Sequence, residues 1–224
     1  MKLADIGTAI EDSGLAWRGA LHPEPGDIPD GVAAETIILV GFLGEEGWAV
    51  FEASPEAADG APDPLDRWSA RLIGGLARKL GAEPLFVFGG PPWLPFQRWA
   101  QKAEPLHRSP LGMLIHPDYG LWHSWRGALA FRERFIPPET PPRAHPCESC
   151  ADKPCLSACP VGAFTPGEYN VAACVSHISD AAGADCMEAG CRARRACPVG
   201  LEHRYTDGQA KYHMRAFRRA QQQK

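Results

Sequence analysis

All eight cysteines of this 224-residue chain lie between Cys147 and Cys197, and none falls in the first 146 residues. They run Cys147-x2-Cys150-x4-Cys155-x3-Cys159-Pro160, then Cys174, Cys186, Cys191 and Cys197-Pro198. The tetrapeptide Cys-Pro-Val-Gly stands at 159–162 and again at 197–200, so the segment reads as a degenerate duplication. Soft thiolates in fours suit iron–sulfur clusters, and where a cysteine run closes on Cys-Pro its last cysteine serves the other run's cluster. That rule gives Cys147, Cys150, Cys155 and Cys197 to one cluster, and leaves Cys159, Cys174, Cys186 and Cys191 for a second. No cysteine remains over. The expectation is two [4Fe–4S] clusters.

Duller chemistries fit less well. Disulfide frameworks belong to small secreted domains, whereas this chain opens without a secretory signal and confines its cysteines to one stretch. Two structural zinc sites would show short CxxC knuckles at each site, and only Cys147-x2-Cys150 has that form. Free buried cysteines would not cluster. The gaps after Cys174, of eleven, four and five residues, are looser than a regular two-cluster repeat.

Composition sets the frame around this region. A hydrophobic fraction of 45% is enough for an ordinary core. A net charge of −4 gives no general attraction to nucleic acid or to anionic lipid, so neither is expected as a partner. No stretch approaches eighteen consecutive apolar residues, so no membrane span is expected. A reduced cytoplasm suits exposed thiolates and clusters.

The elements that must position the cysteines follow from periodicity. Leu3, Ile6 and Ile10 predict a short helix that stops at Ser13-Gly14. Residues 15–21 and 36–42 read as strands, the second apolar on both faces and therefore central. After a loop over 53–62 comes the clearest helix, with Asp63 as its N-cap, Pro64 in its first turn and Gly81 at its end. Strands are expected at 85–88, 111–115 and 128–135, and a helix at 96–103. Pro137-Pro138-Glu139-Thr140-Pro141-Pro142 is a stiff connector. The plan is thus an α/β (α+β) domain over 1–136, the connector at 137–142, a two-cluster domain over 143–200, and a basic helix over 201–224. That helix is capped by Asp207, with Lys211, Arg215, Arg218 and Arg219 on a solvated face.

Between Trp93 and Trp125 the composition shifts to tryptophan, histidine, glycine and proline. Such a stretch packs a core, or else it lines a flat pocket for a large planar ligand. His116 and His123 read as structural residues rather than as ligands or proton donors.

Two segments carry a family resemblance. Met113-Leu114-Ile115-His116-Pro117-Asp118-Tyr119-Gly120-Leu121-Trp122 resembles the Leu-Leu-Ile-x-Pro-x-x-Gly-x-Trp stretch of epoxyqueuosine reductases, and similar sequence occurs in cobalamin-processing proteins that remove the corrinoid's upper ligand. Cys174-Val175-Ser176-His177-Ile178-Ser179 resembles the Cys-Ile-Ser-Tyr-Leu-Thr of epoxyqueuosine reductases, where that cysteine is the isolated ligand of the second cluster. Reductive dehalogenases share the same plan. The resemblance implies a nitroreductase-like domain that holds cobalamin, followed by a small dicluster ferredoxin-like domain. It makes Trp93, His116, Tyr119, Trp122 and Trp125 candidates for a corrinoid pocket.

Departures bear on the activity. Phe88-Gly89-Gly90-Pro91-Pro92-Trp93-Leu94 holds no acid where epoxyqueuosine reductases carry an Asp-x-x-Pro proton donor. Ser109-Pro110-Leu111-Gly112 stands in place of their glycine-rich motif, and their longer body and C-terminal repeats have no counterpart. The expected function is a two-cluster redox protein that passes electrons from a low-potential donor to a bound corrinoid for reductive cobalamin processing. The alternatives are a stand-alone electron-transfer ferredoxin or redox subunit, and an epoxyqueuosine-reductase-like enzyme modifying tRNA.

Overall fold

The computed structural model describes residues 1–222. In chain order its elements are α1 (Leu3–Glu11), β1 (Ala16–Leu21), β2 (Thr36–Leu43), α2 (Glu46–Glu52), α3 (Pro55–Ala58), α4 (Pro64–Leu80), β3 (Glu83–Phe86), α5 (Phe96–Ala103), β4 (His107–Arg108), β5 (Leu114–Ile115) and β6 (His123–Phe131). Then follow α6 (Pro154–Ser157), β7 (Phe164–Thr165), β8 (Glu168–Tyr169), α7 (Val171–Ser179), α8 (Ala184–Ala189), α9 (Arg192–Arg195) and α10 (Asp207–Gln222). The protein is thus a mixture of helices and sheet. None of the described helices is long and apolar enough to cross a membrane.

The chain divides into two compact units, residues 1–105 with 123–142, and residues 106–122 with 143–224. This division differs from the expected one at residue 136. The segment 106–122 belongs with the cysteine region because Leu111, Ile115 and Leu121 enter the same small core as Cys155, Phe164, Ala193 and Cys197.

The first unit is built on an antiparallel sheet of order β1-β2-β6-β3. The expected central strand is β2, whose residues 36–42 are all buried. Its apolar run has no polar alternation because both faces are covered. Gly41 lies beside a register shift in the β2–β6 pairing, where an added Cβ would come 1.9 Å from the Ser124 carbonyl oxygen. Strand β6 begins at His123 and ends at Phe131, five residues before the expected start and four before the expected end. Helix α4 lies against β3 and β6 and buries Leu65, Trp68, Ile73 and Leu76. Its start corrects one expectation: Asp63 adopts a left-handed backbone (φ 48°) and its side chain does not cap the helix. Helices α2 and α3 were not foreseen; Ser54 caps α3, its hydroxyl accepting from Ala57 N–H at 3.3 Å.

One charged side chain sits at the heart of this unit. Arg18 on β1 is 0% exposed. It donates to both carboxylate oxygens of Glu104 at 2.8 and 2.9 Å, to the Phe42 carbonyl at 3.1 Å and to the Ser124 carbonyl at 3.3 Å. The guanidinium also lies 5.2 Å from the Trp125 ring centre. Neighbouring Gly19 makes the close approach possible: its φ is +83° and a Cβ there would meet the Ala103 carbonyl at 2.6 Å. Burial pushes the Glu104 carboxyl above its ordinary range, and Arg18 pulls it back. Removing the cation strands a buried acid, so Arg18→Met should cost about 3–5 kcal/mol in urea unfolding of the first unit. A loss near zero would mean that Glu104 is solvated and the pair contributes nothing.

In the second unit, the expected strand at 111–115 shrinks to β5, which pairs with β4 in a two-residue ladder. Helix α10 packs on α8 and α7, with Met214 and Phe217 against Ile178, Cys186 and Met187. Its cap is Thr206 rather than Asp207, since Thr206 Oγ1 accepts from Gln209 N–H at 3.2 Å. Its basic face is also not simply solvated. Lys211 pairs with Glu188, and Arg218 donates to the Ile178 carbonyl at 3.4 Å.

Candidate metal centres

None of the eight cysteines is in a disulfide. In the second unit they line two separate cavities. The first, of about 20 Å³, is walled by Cys147, Cys150, Cys155 and Cys197 together with prolines and Ile115. The second, of about 520 Å³, is walled by Cys159, Cys174, Cys186 and Cys191 among mostly apolar side chains. The two sets are those that the interleaving rule assigns.

Local structure delivers each cysteine of the first set. Cys147 N–H donates to His145 Nδ1 at 3.2 Å, while His145 Nε2 donates to the Arg108 carbonyl at 3.1 Å. These two bonds define the tautomer. His107 stacks on His145 at 4.6 Å and 15°, and its Nε2 donates to the Arg143 carbonyl at 3.0 Å. Together they hold residues 143–147 against the β4–β5 hairpin. Cys155 comes from α6, whose first residue is Pro154. Cys197 arrives from the far end of the region, just past α9, and receives the Val199 backbone N–H.

A backbone clasp fixes that far end. Gly120 (φ +57°) leaves room for nothing larger, since a Cβ would lie 2.0 Å from the Val199 carbonyl. Gly200 (φ +67°) has the same constraint against Tyr119. The Pro-x-x-Gly turn at 117–120 therefore rests directly on the second Cys-Pro-Val-Gly. Arg194 locks the contact: it donates to the Leu121 carbonyl at 3.1 Å and lies 4.6 Å from the Trp122 ring and 4.3 Å from the Tyr205 ring.

In the second set, Cys159 Sγ accepts from Ala163 N–H at 3.3 Å. Cys174 rides on α7, capped by Asn170 Oδ1, which accepts from Ala173 N–H at 2.9 Å. Cys186 sits on α8. Cys191 immediately precedes α9, so the Ala193 and Arg194 N–H groups point at its sulfur. Tyr169 shares the wall of this cavity with Cys174.

The thiols influence one another within the same two sets. Burial pushes Cys147 up to about 11, assisted by Cys197, Cys155 and Cys150. Burial likewise raises Cys174, with Cys159 and Cys186 adding to it, and raises Cys191, with Cys186 and Cys174 adding to it. Such thiols keep their protons until a cation replaces them, and binding then releases the protons. Among the described residues no three His, Cys, Asp or Glu side chains come together as a site for one metal ion. A zinc ion, with Zn–S of about 2.3 Å, needs donors that converge on one point. A [4Fe–4S] group takes four separate cysteine thiolates, the number that lines each cavity.

The five corrinoid candidates are not gathered in one unit. Trp93 is 68% exposed and Trp125 stacks edge-on with His123 while facing Arg18, both in the first unit. His116, Tyr119 and Trp122 lie in the second. His116 Nδ1 accepts from the Asp118 and Tyr119 N–H groups, at 3.1 and 3.3 Å, which makes it the organiser of the 116–120 turn. Trp122 is 3% exposed, its ring engaged by Arg194 and set edge-on to Tyr205 at 5.5 Å. His145, Tyr169 and Arg194 were missed because their roles depend on partners far away in sequence or on a hairpin that spacing does not reveal.

No protein-family model matches the chain, and no curated protein matches it. Solved structures do resemble it. One is a selenomethionine-labelled epoxyqueuosine reductase, with 18% identity and a TM-score of 0.46 over 80% of this chain and 52% of that one. Another is an epoxyqueuosine reductase with an epoxyqueuosine-modified tRNA-Tyr stem loop, with 16% identity and a TM-score of 0.48 over 89% of this chain and 66% of that one. The chain thus spans about half of the first protein and just under two thirds of the second.

The clasp makes its own prediction. Arg194→Met removes the cation that faces both the Trp122 and Tyr205 rings, and the second unit should lose about 2 kcal/mol in urea unfolding. Arg194→Lys should recover little of it, because an ammonium cannot present a planar fork to the Leu121 carbonyl and both rings together. Full rescue by lysine would show that charge alone matters there.

Proposed function

We propose that the chain is a two-cluster iron–sulfur redox protein, with one [4Fe–4S] group held by Cys147, Cys150, Cys155 and Cys197 and the other by Cys159, Cys174, Cys186 and Cys191. The observation that carries this reading is the sorting of eight thiols into two cavities of four. When bound, the groups supply one-electron transfer. The chain's own residues supply the rest. Prolines and apolar side chains exclude water, backbone N–H groups donate to the sulfurs of Cys159, Cys191 and Cys197, and the Gly120–Gly200 clasp holds Cys197 beside a set that is remote in sequence. A low-potential donor is the partner on the input side.

On the output side, an enzyme of the epoxyqueuosine-reductase kind stands ahead of reductive cobalamin processing. The stretch 174–179 resembles that family, whereas 113–122 resembles both that family and the cobalamin-processing proteins. Trp122, a pocket residue on the corrinoid reading, is committed to Arg194 and Tyr205. A tRNA therefore takes its place among the proposed partners, where net charge alone pointed to none. Cobalamin is kept as a proposed cofactor of the first unit.

Anaerobically purified protein should carry about eight irons per chain, four for each cluster. Cys197→Ala and Cys191→Ala should each lose about four, and the double variant should lose all of them. Reproducible zinc, or intact clusters in Cys197→Ala, would overturn the reading. A tRNA anticodon stem loop should bind the loaded protein more weakly as salt rises; no binding in low salt would return the acceptor to the corrinoid or to a protein partner.

A further inference from the structure

Besides their volumes, the two cavities differ in an aromatic wall that only the second one has. A tyrosine stands in the wall of the second cavity, at the position that faces Cys174 across the start of α7. Strands β7 and β8 form a hairpin around Pro166-Gly167, with Gly167 at φ +87°, as a turn of this kind requires. Phe164 and Tyr169 are directly paired and their rings stack at 4.5 Å and 11°. On its other side Tyr169 lies near Phe217, with ring centres 6.4 Å apart and 25° between planes. The Asn170 N–H closes the hairpin onto the Ala163 carbonyl at 2.8 Å, and Asn170 then caps α7. Tyr169 is therefore the residue before an N-cap, and Cys174 is the fourth residue of the helix. These are the two positions that face each other across a helix start. Both line the second cavity. The ring is oriented by its strand pairing and by the stack on Phe164, while its outer part remains exposed.

We infer that Tyr169 is a tuning residue for the second cluster: its O–H donates to Cys174 Sγ and raises that cluster's reduction potential. The inference rests on the two-cluster reading. Hydrogen bonds to ligand sulfurs are among the factors that set cluster potentials. An electron added to the cluster increases the negative charge on its sulfurs, so a donated bond stabilises the reduced form more than the oxidised one. The reaction it biases is uptake of one electron from an external donor, with no atom transferred. Tyr169 does not itself react.

The test is an anaerobic redox titration of the full chain, followed by electron paramagnetic resonance, comparing wild type with Tyr169→Phe. Iron content tests the reading beneath the inference: about eight irons in the wild type sustains it, and a different metal or count sinks it whatever the tyrosine does. Given eight irons in both proteins, the reduced-to-oxidised ratio of one cluster at fixed ambient potential should fall about tenfold, a shift of about 59 mV for one electron. The other cluster should not move. Two unshifted clusters would overturn the inference and leave the two-cluster reading standing. If Tyr169→Phe sheds four irons, Tyr169→Trp decides, since it keeps a flat ring and offers an N–H. Recovery of iron and potential by tryptophan supports the donor role. No recovery reduces Tyr169 to packing.

Discussion

The second unit depends on a demand that its chain meets in an unusual way: eight thiols from a segment of short elements must stand around two cavities. Helices α6, α8 and α9 are four to six residues long, and strands β4, β5, β7 and β8 have two residues each. Elements of that length do not stabilise themselves. Cysteines take part in both of the unit's small cores, Cys155 and Cys197 in one beside Leu111, Ile115, Leu121 and Phe164, and Cys186 in the other beside Ile178 and Met187. The cavities are therefore not features placed on a finished fold. They stand where a longer domain would have its hydrophobic centre, and a bound group that replaces thiol protons contributes directly to folding.

The first unit solves a different problem with ordinary means. An antiparallel sheet with a doubly covered central strand, closed by α4 and α5, provides a large apolar interior. Its most deeply buried charge is Arg18, held with Glu104 where β1, β2, β6 and the end of α5 come together. Here a cation satisfies two strand carbonyls that the bulged ladder leaves over. In the second unit Arg194 serves a similar purpose at a carbonyl outside any ladder, that of Leu121. Both arginines join chain segments that lie far apart in sequence, and each also covers an indole.

What could be read from sequence followed the range of each signal. Cysteine identity and the Cys-Pro closures are local, which is why two sets of four could be proposed from spacing alone. Helix α5 was placed at its observed bounds, because its apolar spacing and its proline boundary are local too. The end of α4 at Gly81 followed the same logic, while its start did not: Asp63 has the right side chain but a left-handed backbone. The short ladders escaped notice because two residues have no period. The 106–122 segment was assigned to the wrong unit because its allegiance is set by Gly120 meeting Val199, a contact invisible to composition. Tyr169 did leave a trace, since Tyr-Asn followed by Cys four residues after the asparagine is the spacing of a capped helix start.

The account stands or falls on two groups of iron in two places. Crystals of anaerobically purified protein, measured on both sides of the iron absorption edge, would locate them directly. The expected map has two separate iron peaks, one bounded by Cys147, Cys150, Cys155 and Cys197, the other by Cys159, Cys174, Cys186 and Cys191. A single iron site, a peak that draws cysteines from both sets, or an edge belonging to zinc would contradict it.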